Sequence, residues 1–492
     1  MKKYLLILAC ACFTFAACDE LGLGGNKDDE TPGLDELPTI GGENQEPTEE
    51  LTPAQQQAKF QSVGQEILAE FPAEKFQNFA DIAEAFDETY GTVDYDFSEL
   101  EAWAENAESV TYSHNHQYEY ENNGVGFCKK NWLILLSNYT GLFTFGASKV
   151  TVAPYEGTKA VFTVKGKTYE AEITSSGEVT NAYFEYTYHD ENRYDYDNNG
   201  DGLINDDDNY VWDWETKVTL GVPENINVSI SENGTPLATV SAKFSLNVTS
   251  DEVQFSTDAF ATEFTVMING YELKVSKTGY EGPASKAQML ATLSNGSKTL
   301  LTYTMSADLH LKTDTLSGTE SHYSWTSKEV VVEKFENFKA AMDILGQIQV
   351  IGTCKDINKV NDEIDKVYDA LRDYDYEAGV SKPVDEATAA QHTEEVNKLI
   401  DFGVYYDNGS NKQADIKFEY YYETYEHEWG SGTAWGFNPI IIFNDGSQNK
   451  IEDFFTENAF NGLMESLEDF AESYETVFGY FFAKEEEITP AE

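Results

Sequence analysis

Asparagine–glycine pairs punctuate the middle of this chain, and each lies between two short runs of alternating apolar and polar residues. From Val266 to Leu273 the alternation continues on both sides of Asn269-Gly270. Both residues of such a pair tolerate positive φ angles, so the pair predicts a two-residue type I′ turn between antiparallel strands. The same signal recurs at Asn233-Gly234, Asn295-Gly296 and, more weakly, Lys165-Gly166.

Strands spaced in this way predict an α+β fold dominated by a large antiparallel β-sheet or sandwich. The β domain extends over 109–334, where no helix-length segments separate the strands, which argues against a parallel α/β fold. Helical patterns flank it, so we expect N-terminal, central and C-terminal helices.

The N-terminal helical segment covers 53–108. Thr52 and Gln55 have the spacing of a capping box, and Pro53 occupies the first turn. The C-terminal region, 335–492, is predicted to be α+β. It begins with helix from 335 to 402, continues with strands that turn at Asn408-Gly409 and Asp445-Gly446, and ends in a helix. The apolar stripes predicted for this region contain Ile357, Val360, Ile364, Val367 and Leu371, then Val396, Leu399 and Ile400, and finally Phe460, Leu463, Leu467, Phe470, Tyr474 and Val477.

The first residues have the composition of an export signal. Lys2 and Lys3 precede a short apolar stretch, and small residues then lead into Cys18. The apolar stretch is too short to span a bilayer, so residues 1–17 are predicted to be a cleaved signal peptide. An ordinary signal peptide with an incidental cysteine is the alternative.

Phe15-Ala16-Ala17-Cys18 resembles the lipobox of bacterial lipoproteins. The resemblance implies that Cys18 carries fatty acyl chains such as palmitate, which together hold a protein stably at a membrane. Residues 18–52 are acidic and poor in aromatic residues, so we expect a disordered tether. Acidic residues next to the cysteine resemble the surface-export signal of Bacteroidota lipoproteins, which implies an outer-membrane lipoprotein that faces the cell exterior.

The charge balance is strongly acidic. The chain has 88 acidic and 32 basic side chains, a formal net charge of −56. Such a chain repels nucleic acid and anionic headgroups, which excludes both as partners, and it favours a bound cation. Once the signal and Cys18 are set aside, Cys128 and Cys354 remain. They are predicted to be buried free thiols, with a disulfide as the alternative.

An aromatic cluster near the C-terminus is a candidate ligand patch. Its members are Tyr421, Tyr425, Trp429 and Trp435, with glycines interleaved. Consecutive tyrosines must place some rings outward on a strand, so the cluster predicts an exposed surface for a glycan or an envelope protein. Ordinary core packing is the competing interpretation.

No catalytic motif for a nucleophile, phosphate loop, dinucleotide or zinc is present. The leading hypothesis is therefore a non-enzymatic binding or structural lipoprotein. A polysaccharide hydrolase with two carboxylates in a cleft is the alternative. A lipid-carrying envelope lipoprotein, with an apolar cavity between a curved sheet and a helix, is a second alternative.

The pattern over residues 50–490 resembles that of uncharacterised Bacteroidota surface lipoproteins. The segments that carry this resemblance are Leu51-Thr52-Pro53, Val222-Pro223-Glu224-Asn225-Ile226, Ile268-Asn269-Gly270-Tyr271 and Phe443-Asn444-Asp445-Gly446. The resemblance implies no activity.

Residues 197–208 match a twelve-residue calcium loop. Side-chain oxygens come from Asp197, Asn199 and Asp201, a carbonyl from Leu203, and further ligands from Asn205 and Asp208. The string resembles the loops of dockerins, which also place aspartate at the last position. Strands rather than helices are predicted on both sides, so we expect a structural calcium ion at a hairpin tip. A calcium-free acidic turn is the alternative.

We expect calcium to raise the melting temperature, because an ion that binds only the folded state stabilises it by mass action. With a dissociation constant of roughly 10⁻⁴ to 10⁻³ M, the response should appear at millimolar calcium in a thermal melt. The Asp197→Ala, Asp201→Ala double variant should lose this response. A wild-type melting curve that does not move with calcium would reduce the loop to a turn.

Overall fold

The alternating segments form a large mixed β-sheet in the computed structural model, and helices from three parts of the chain pack on it, so the fold class is α+β as predicted. None of the described helices has both the length and the apolar character to cross a membrane. The structure describes residues 37–41, 45–85, 94–112, 117–120, 125–192, 210–246, 252–254, 260–280, 284–320, 323–372, 374–375, 380–427, 430–455 and 460–478.

The helices and strands have the following bounds. The helices are α1 (Pro53–Ala69), α2 (Gln77–Ala85), α3 (Ser98–Tyr112), α4 (Ile357–Leu371), α5 (Glu386–Leu399), α6 (Ile451–Phe454) and α7 (Asn461–Phe478), with 3₁₀ turns at Ala73–Phe76 and Leu136–Tyr139. The strands are β1 (Gln117–Tyr120), β2 (Val125–Leu135), β3 (Gly141–Phe145), β4 (Val150–Ala153), β5 (Thr158–Val164), β6 (Lys167–Asn192), β7 (Tyr210–Glu232), β8 (Thr235–Leu246), β9 (Glu252–Gln254), β10 (Phe260–Ile268), β11 (Tyr271–Tyr280), β12 (Ala284–Asn295), β13 (Lys298–Glu320), β14 (Tyr323–Ile344), β15 (Ile348–Asp356), β16 (Tyr374–Asp375), β17 (Val380–Ser381), β18 (Ile400–Tyr406), β19 (Ala414–His427), β20 (Gly430–Phe443) and β21 (Gln448–Lys450).

Most neighbouring strands are antiparallel, as predicted, but the sheet is mixed. Strand β6 pairs with β7, β7 with β8, and β8 with β10, and from β10 to β14 each strand pairs with the next one in the chain. The start of β14 also pairs with β6, so these strands close into a ring. The pairs β2–β7, β3–β5 and β6–β9 are parallel. Each of these three contacts joins strands that are not consecutive in the chain.

The predicted hairpin turns are present, with two displaced by one residue. Asn269 and Gly270 have φ angles of 50° and 88°, and both angles are positive as a type I′ turn requires. The same is true of Asn233-Gly234 and Lys165-Gly166, and Gly446 also has a positive φ. The displaced turns are Gly296-Ser297, because Asn295 ends β12, and Asp407-Asn408, where both residues have positive φ.

The helix predicted from residue 335 is wrong, because β14 and β15 occupy the chain up to Asp356. Phe335 and Phe338 are both buried, and their three-residue spacing imitates a helix. A β-bulge explains it: the register of β14 against β13 shifts near Asn337, which has a φ of 52°. Because of this extra residue, side chains three positions apart, and not two, lie on the same side of β14 here. The boundary placed at 334/335 also lies inside β14. The central and C-terminal helices α4, α5 and α7 follow the predicted stripes, except that Ile400, assigned to the second stripe, is the first residue of β18.

Helices α1 and α2 lie across a row of hairpin turns at one end of the sheet, which we call the helical end. Lys298, beside the β12–β13 turn, binds Glu66 at 2.8 Å and Glu70 at 2.6 Å. Lys165, in the β5–β6 turn, binds Asp81 at 2.8 Å and Glu84 at 2.7 Å. Several turns distant in sequence are thereby fastened to one helical segment.

The lysine contacts have an electrostatic consequence. Hydrogen bonds from Lys298 lower the pKa of the Glu66 and Glu70 carboxyls, and Lys165 does the same for Asp81. The stability that these carboxylates contribute is present above the ordinary carboxyl pKa and is lost as the pH falls through the lowered values. Because the pairs are accessible to water, each contributes little alone.

Aromatic stacking reinforces the same contact. Tyr271, the first residue of β11, lies between Phe71 and Phe76, with ring centroids 4.9 and 5.6 Å away. Its hydroxyl donates to the Glu70 carbonyl, and the neighbouring Asn269 side chain donates to the Lys75 carbonyl at 2.7 Å. The β10–β11 turn is therefore held by both packing and hydrogen bonds.

The end of the predicted tether is bound to the fold. Within the segment predicted to be disordered, residues 18–52, the stretch 45–52 runs beside the β18–β19 connection, and the Thr48 amide donates to the Asn411 side chain at 2.7 Å. The Leu51 amide donates to Gln413 Oε1 at 2.8 Å, and Gln413 Nε2 donates to the Glu49 carbonyl at 2.9 Å. The disorder prediction was therefore wrong for these last residues, because a buried polar side chain supplies partners for their backbone.

Two fully buried glutamines form the centre of this attachment. Gln413 and Gln56 both have an exposed fraction of 0%. Gln56 Nε2 donates to the carbonyls of Leu51 and Gln413, each at 3.1 Å, and Gln56 Oε1 accepts from the Tyr406 hydroxyl at 3.1 Å. We call this the glutamine network. Each polar atom of the two side-chain amides has a partner, as burial demands.

Gln413→Ala should destabilise the fold by about 2–4 kcal/mol, because it leaves a cavity and buried backbone groups without partners. Urea denaturation measures the change. Gln77→Ala, which removes an exposed amide that bonds Asp81, should change the free energy of unfolding by less than about 0.5 kcal/mol. Equal unfolding midpoints for the two variants would contradict the role of the network.

Candidate functional site

The predicted ligand patch falls on the β19–β20 hairpin. The register runs from Ala414↔Phe443 at the helical end to His427↔Gly430. Ala414 lies in the core beside α1, so the hairpin starts at the helical end and extends away from it for roughly 40 Å of strand. Alternate side chains face opposite sides of this hairpin, which separates the aromatic cluster into two groups.

One side of the hairpin packs against α4 and α5. Tyr420, Tyr422, Trp435 and Phe437 contact a core of buried residues contributed by these helices. The Trp435 and Phe437 rings lie 5.3 and 5.8 Å from the ring of Tyr368 in α4. Trp435 therefore belongs to the core-packing alternative, and its assignment to the ligand patch was wrong. Trp435 pairs across the hairpin with Tyr422, so both side chains lie on the side that packs against α4 and α5.

Polar contacts hold the two helices beneath the hairpin. Glu363 of α4 is 7% exposed and bonds Lys366 at 2.7 Å and the His392 ring of α5. These donors, Lys366 first, lower the pKa of the Glu363 carboxyl. The side chain of Asn397 in α5 bonds both backbone groups of Phe418, at 2.9 and 2.7 Å. The hairpin is thus backed by a fixed helix pair.

The opposite side of the hairpin carries the other two described members of the patch. Tyr425 is 50% exposed and pairs across the hairpin with Gly432. Tyr421 pairs with Gly436, and its ring covers that glycine: a Cβ added there would lie 3.2 Å from Tyr421 Cε1. Each tyrosine therefore faces a residue without a side chain.

Two carboxylates share this side with the tyrosines. Glu419 and Glu423 alternate with Tyr421 and Tyr425 along β19, and both are exposed. We call this set, together with Gly432, Ala434, Gly436 and Asn438 of β20, the tyrosine face. Sequence analysis singled out the tyrosines but missed the glutamates and the pairing with glycines. The alternation along β19 is the signal that could have identified the glutamates.

The remaining predicted site residues lie outside the described residues. They are Cys18, Trp429 and the calcium-loop ligands Asp197, Asn199, Asp201, Leu203, Asn205 and Asp208. The strands on both sides of the loop are described, and pairing of β6 with β7 continues to Asn192↔Tyr210. The prediction that strands flank the loop is therefore confirmed. Among the residues that the structure does describe, no group of three or more His, Cys, Asp or Glu side chains is arranged to hold a metal ion.

The prediction of a buried free thiol is confirmed for Cys354, whose side chain the structure describes. Cys354, in β15, is a buried free thiol. Burial raises its pKa, which keeps the thiol protonated and unreactive. The side chain of Cys128 lies outside the described residues.

Comparison with protein-family models, with curated proteins and with solved structures gives no match for this chain. No activity is therefore carried over from a relative. The placement and chemistry of the residues themselves are the basis for a functional proposal.

Trp435→Ala should lower the free energy of unfolding by about 2–4 kcal/mol, because the ring packs against α4 and leaves a cavity. Tyr425→Ala should change it much less, by about 0.5 kcal/mol, since half of this side chain is exposed. Urea denaturation of the two variants gives the comparison. If Tyr425→Ala were the more damaging change, the assignment of the two sides of the hairpin would be incorrect.

Proposed function

We propose that this protein is a lipid-anchored outer-membrane lipoprotein that faces the cell exterior and displays the tyrosine face as a binding surface. The proposal rests on one observation: the N-terminal chain is attached at the helical end, and the tyrosine face lies on a hairpin that extends away from that end. Residues 45–52 are bound at the helical end, whereas β19 and β20 extend from that end toward residues 427–430. A chain anchored through Cys18 would therefore hold the tyrosine face away from the membrane.

The proposed calcium site has a structural role in the same arrangement. Strand β6 begins at the helical end and continues for 26 residues to Asn192, where it still pairs with Tyr210. Residues 193–209 join these two paired strands in sequence and contain the predicted calcium loop. Calcium bound by residues 197–208 would neutralise the acidic side chains there and fix the tip of the hairpin.

Two features favour binding over hydrolysis. Each described carboxyl group whose pKa departs from its ordinary value is shifted downward, and Glu99 and Glu363 are examples with lysine or backbone donors. A glycosidase acid needs a raised pKa instead. The tyrosine face also lies along a two-stranded hairpin rather than inside a cleft. The partner is accordingly a glycan or an envelope protein.

Lipid carriage is less well supported, because apolar side chains fill the contacts of α1 and α4 with the sheet. Val63 of α1 packs with Val404 of β18, and Val360 of α4 packs with Cys354 of β15. These residues are at most 5% exposed. An acyl chain would need a cavity at such a contact.

Labelling of intact cells tests the proposal. Glu423→Cys places a thiol on the tyrosine face, and a membrane-impermeant maleimide should label it on whole cells. When Cys18→Ala is added to this variant, the protein should leave the membrane fraction, because the acyl chains on Cys18 are the proposed attachment to the membrane. Labelling only after the outer membrane is permeabilised would contradict surface display, and membrane retention of the Cys18 variant would contradict lipid anchoring.

A further inference from the structure

The pairing of tyrosine with glycine determines the shape of the tyrosine face. Glycines at 432 and 436 lie directly opposite Tyr425 and Tyr421, and Ala434 lies opposite Glu423. Because these positions of β20 carry a methyl group or no side chain, the Tyr421 ring can lie over the backbone of the neighbouring strand. The result is a shallow, flat surface with aromatic rings along β19.

The two rings are spaced along one strand. Tyr425 lies four positions after Tyr421 on β19, which corresponds to roughly 13 Å between their Cα atoms. A single pyranose ring cannot cover this distance, whereas an oligosaccharide of several units can. The helix pair α4–α5 backs the hairpin through Trp435 and Phe437, so the surface needs little ordering when a ligand binds.

The polar groups beside the rings indicate the chemistry of the ligand. Glu419 and Glu423 offer exposed carboxyl oxygens as hydrogen-bond acceptors, and sugar hydroxyl groups donate hydrogen bonds. The apolar C–H side of a pyranose packs on an aromatic ring, which also offers a hydroxyl at its edge. Negatively charged glycans are disfavoured by the same glutamates and by the net charge of −56.

We propose that the tyrosine face binds a neutral polysaccharide chain laid along β19, with Tyr421 and Tyr425 as stacking platforms and Glu419 and Glu423 as acceptors for sugar hydroxyls. This inference rests on the proposed binding function and names its ligand class. The ligand spans the two tyrosines and requires Gly436, since a larger residue there displaces the Tyr421 ring.

Affinity electrophoresis of the full-length protein tests the ligand class. Native gels contain soluble xylan, galactomannan, mixed-linkage β-glucan or starch as neutral probes, and polygalacturonate as the anionic probe. We expect retardation by at least one neutral probe and none by polygalacturonate. The double variant Tyr421→Ala, Tyr425→Ala should weaken this retardation roughly tenfold or more, as loss of aromatic anchors does.

Two further variants separate binding from folding. Gly436→Val keeps both tyrosines but fills the space beneath Tyr421, so it should also weaken retardation. Tyr155→Ala removes a tyrosine that is 37% exposed and lies outside the hairpin, and it should bind like the wild type. Unchanged thermal melts confirm that each variant is folded.

Three outcomes would overturn the inference: no retardation by any neutral probe, equal retardation of the double variant, or preference for polygalacturonate. The proposed function would survive them if Glu423→Cys were still labelled on intact cells. In that case the partner would be an envelope protein. A failure of labelling with intact glycan binding would instead reject surface display and leave the ligand class in place.

Discussion

The attachment of one helical segment to a row of hairpin turns is the contact on which the rest of this fold depends. Helix α1 and the chain through α2 contact three hairpin turns, through Lys298, Tyr271 and Lys165, and the turn at Lys165 lies more than a hundred residues before the other two. Each ion pair is weak because water reaches it. The stacking of Tyr271 between two phenylalanines adds apolar burial, and together these contacts align the strands at a common end.

Because the strands are aligned at the helical end, the N-terminal chain and the long strands have a defined orientation relative to that end. The glutamine network fixes residues 45–52 beside the same end, where Gln56 and Gln413 are fully buried. Strands β6 and β19 both begin there and lead away from it. The tyrosine face, on β19, is consequently directed away from the point where the N-terminal chain enters, and the proposed display of a binding surface follows from this polarity.

Local signals in the sequence predicted the elements well where the cause was local. Positive φ angles at Asn269-Gly270 and the capping box at Thr52 need only neighbouring residues, and both are present. The helix predicted at residue 335 failed because a β-bulge at Asn337 brings Phe335 and Phe338 to one side of a strand. A bulge depends on the partner strand, which no local pattern reveals.

The same distinction between local and tertiary causes applies to the candidate site. The sequence by itself determined that consecutive tyrosines of β19 would place some rings outward, that glycines would follow in β20, and that acidic residues would outnumber basic ones, because composition and periodicity are local properties. Only the tertiary structure decided that Trp435 packs against α4, that Tyr421 lies over Gly436, and that the tether end binds Gln413. These outcomes depend on strand register and on helices distant in sequence, since two residues share a side of a sheet only after their strands have paired.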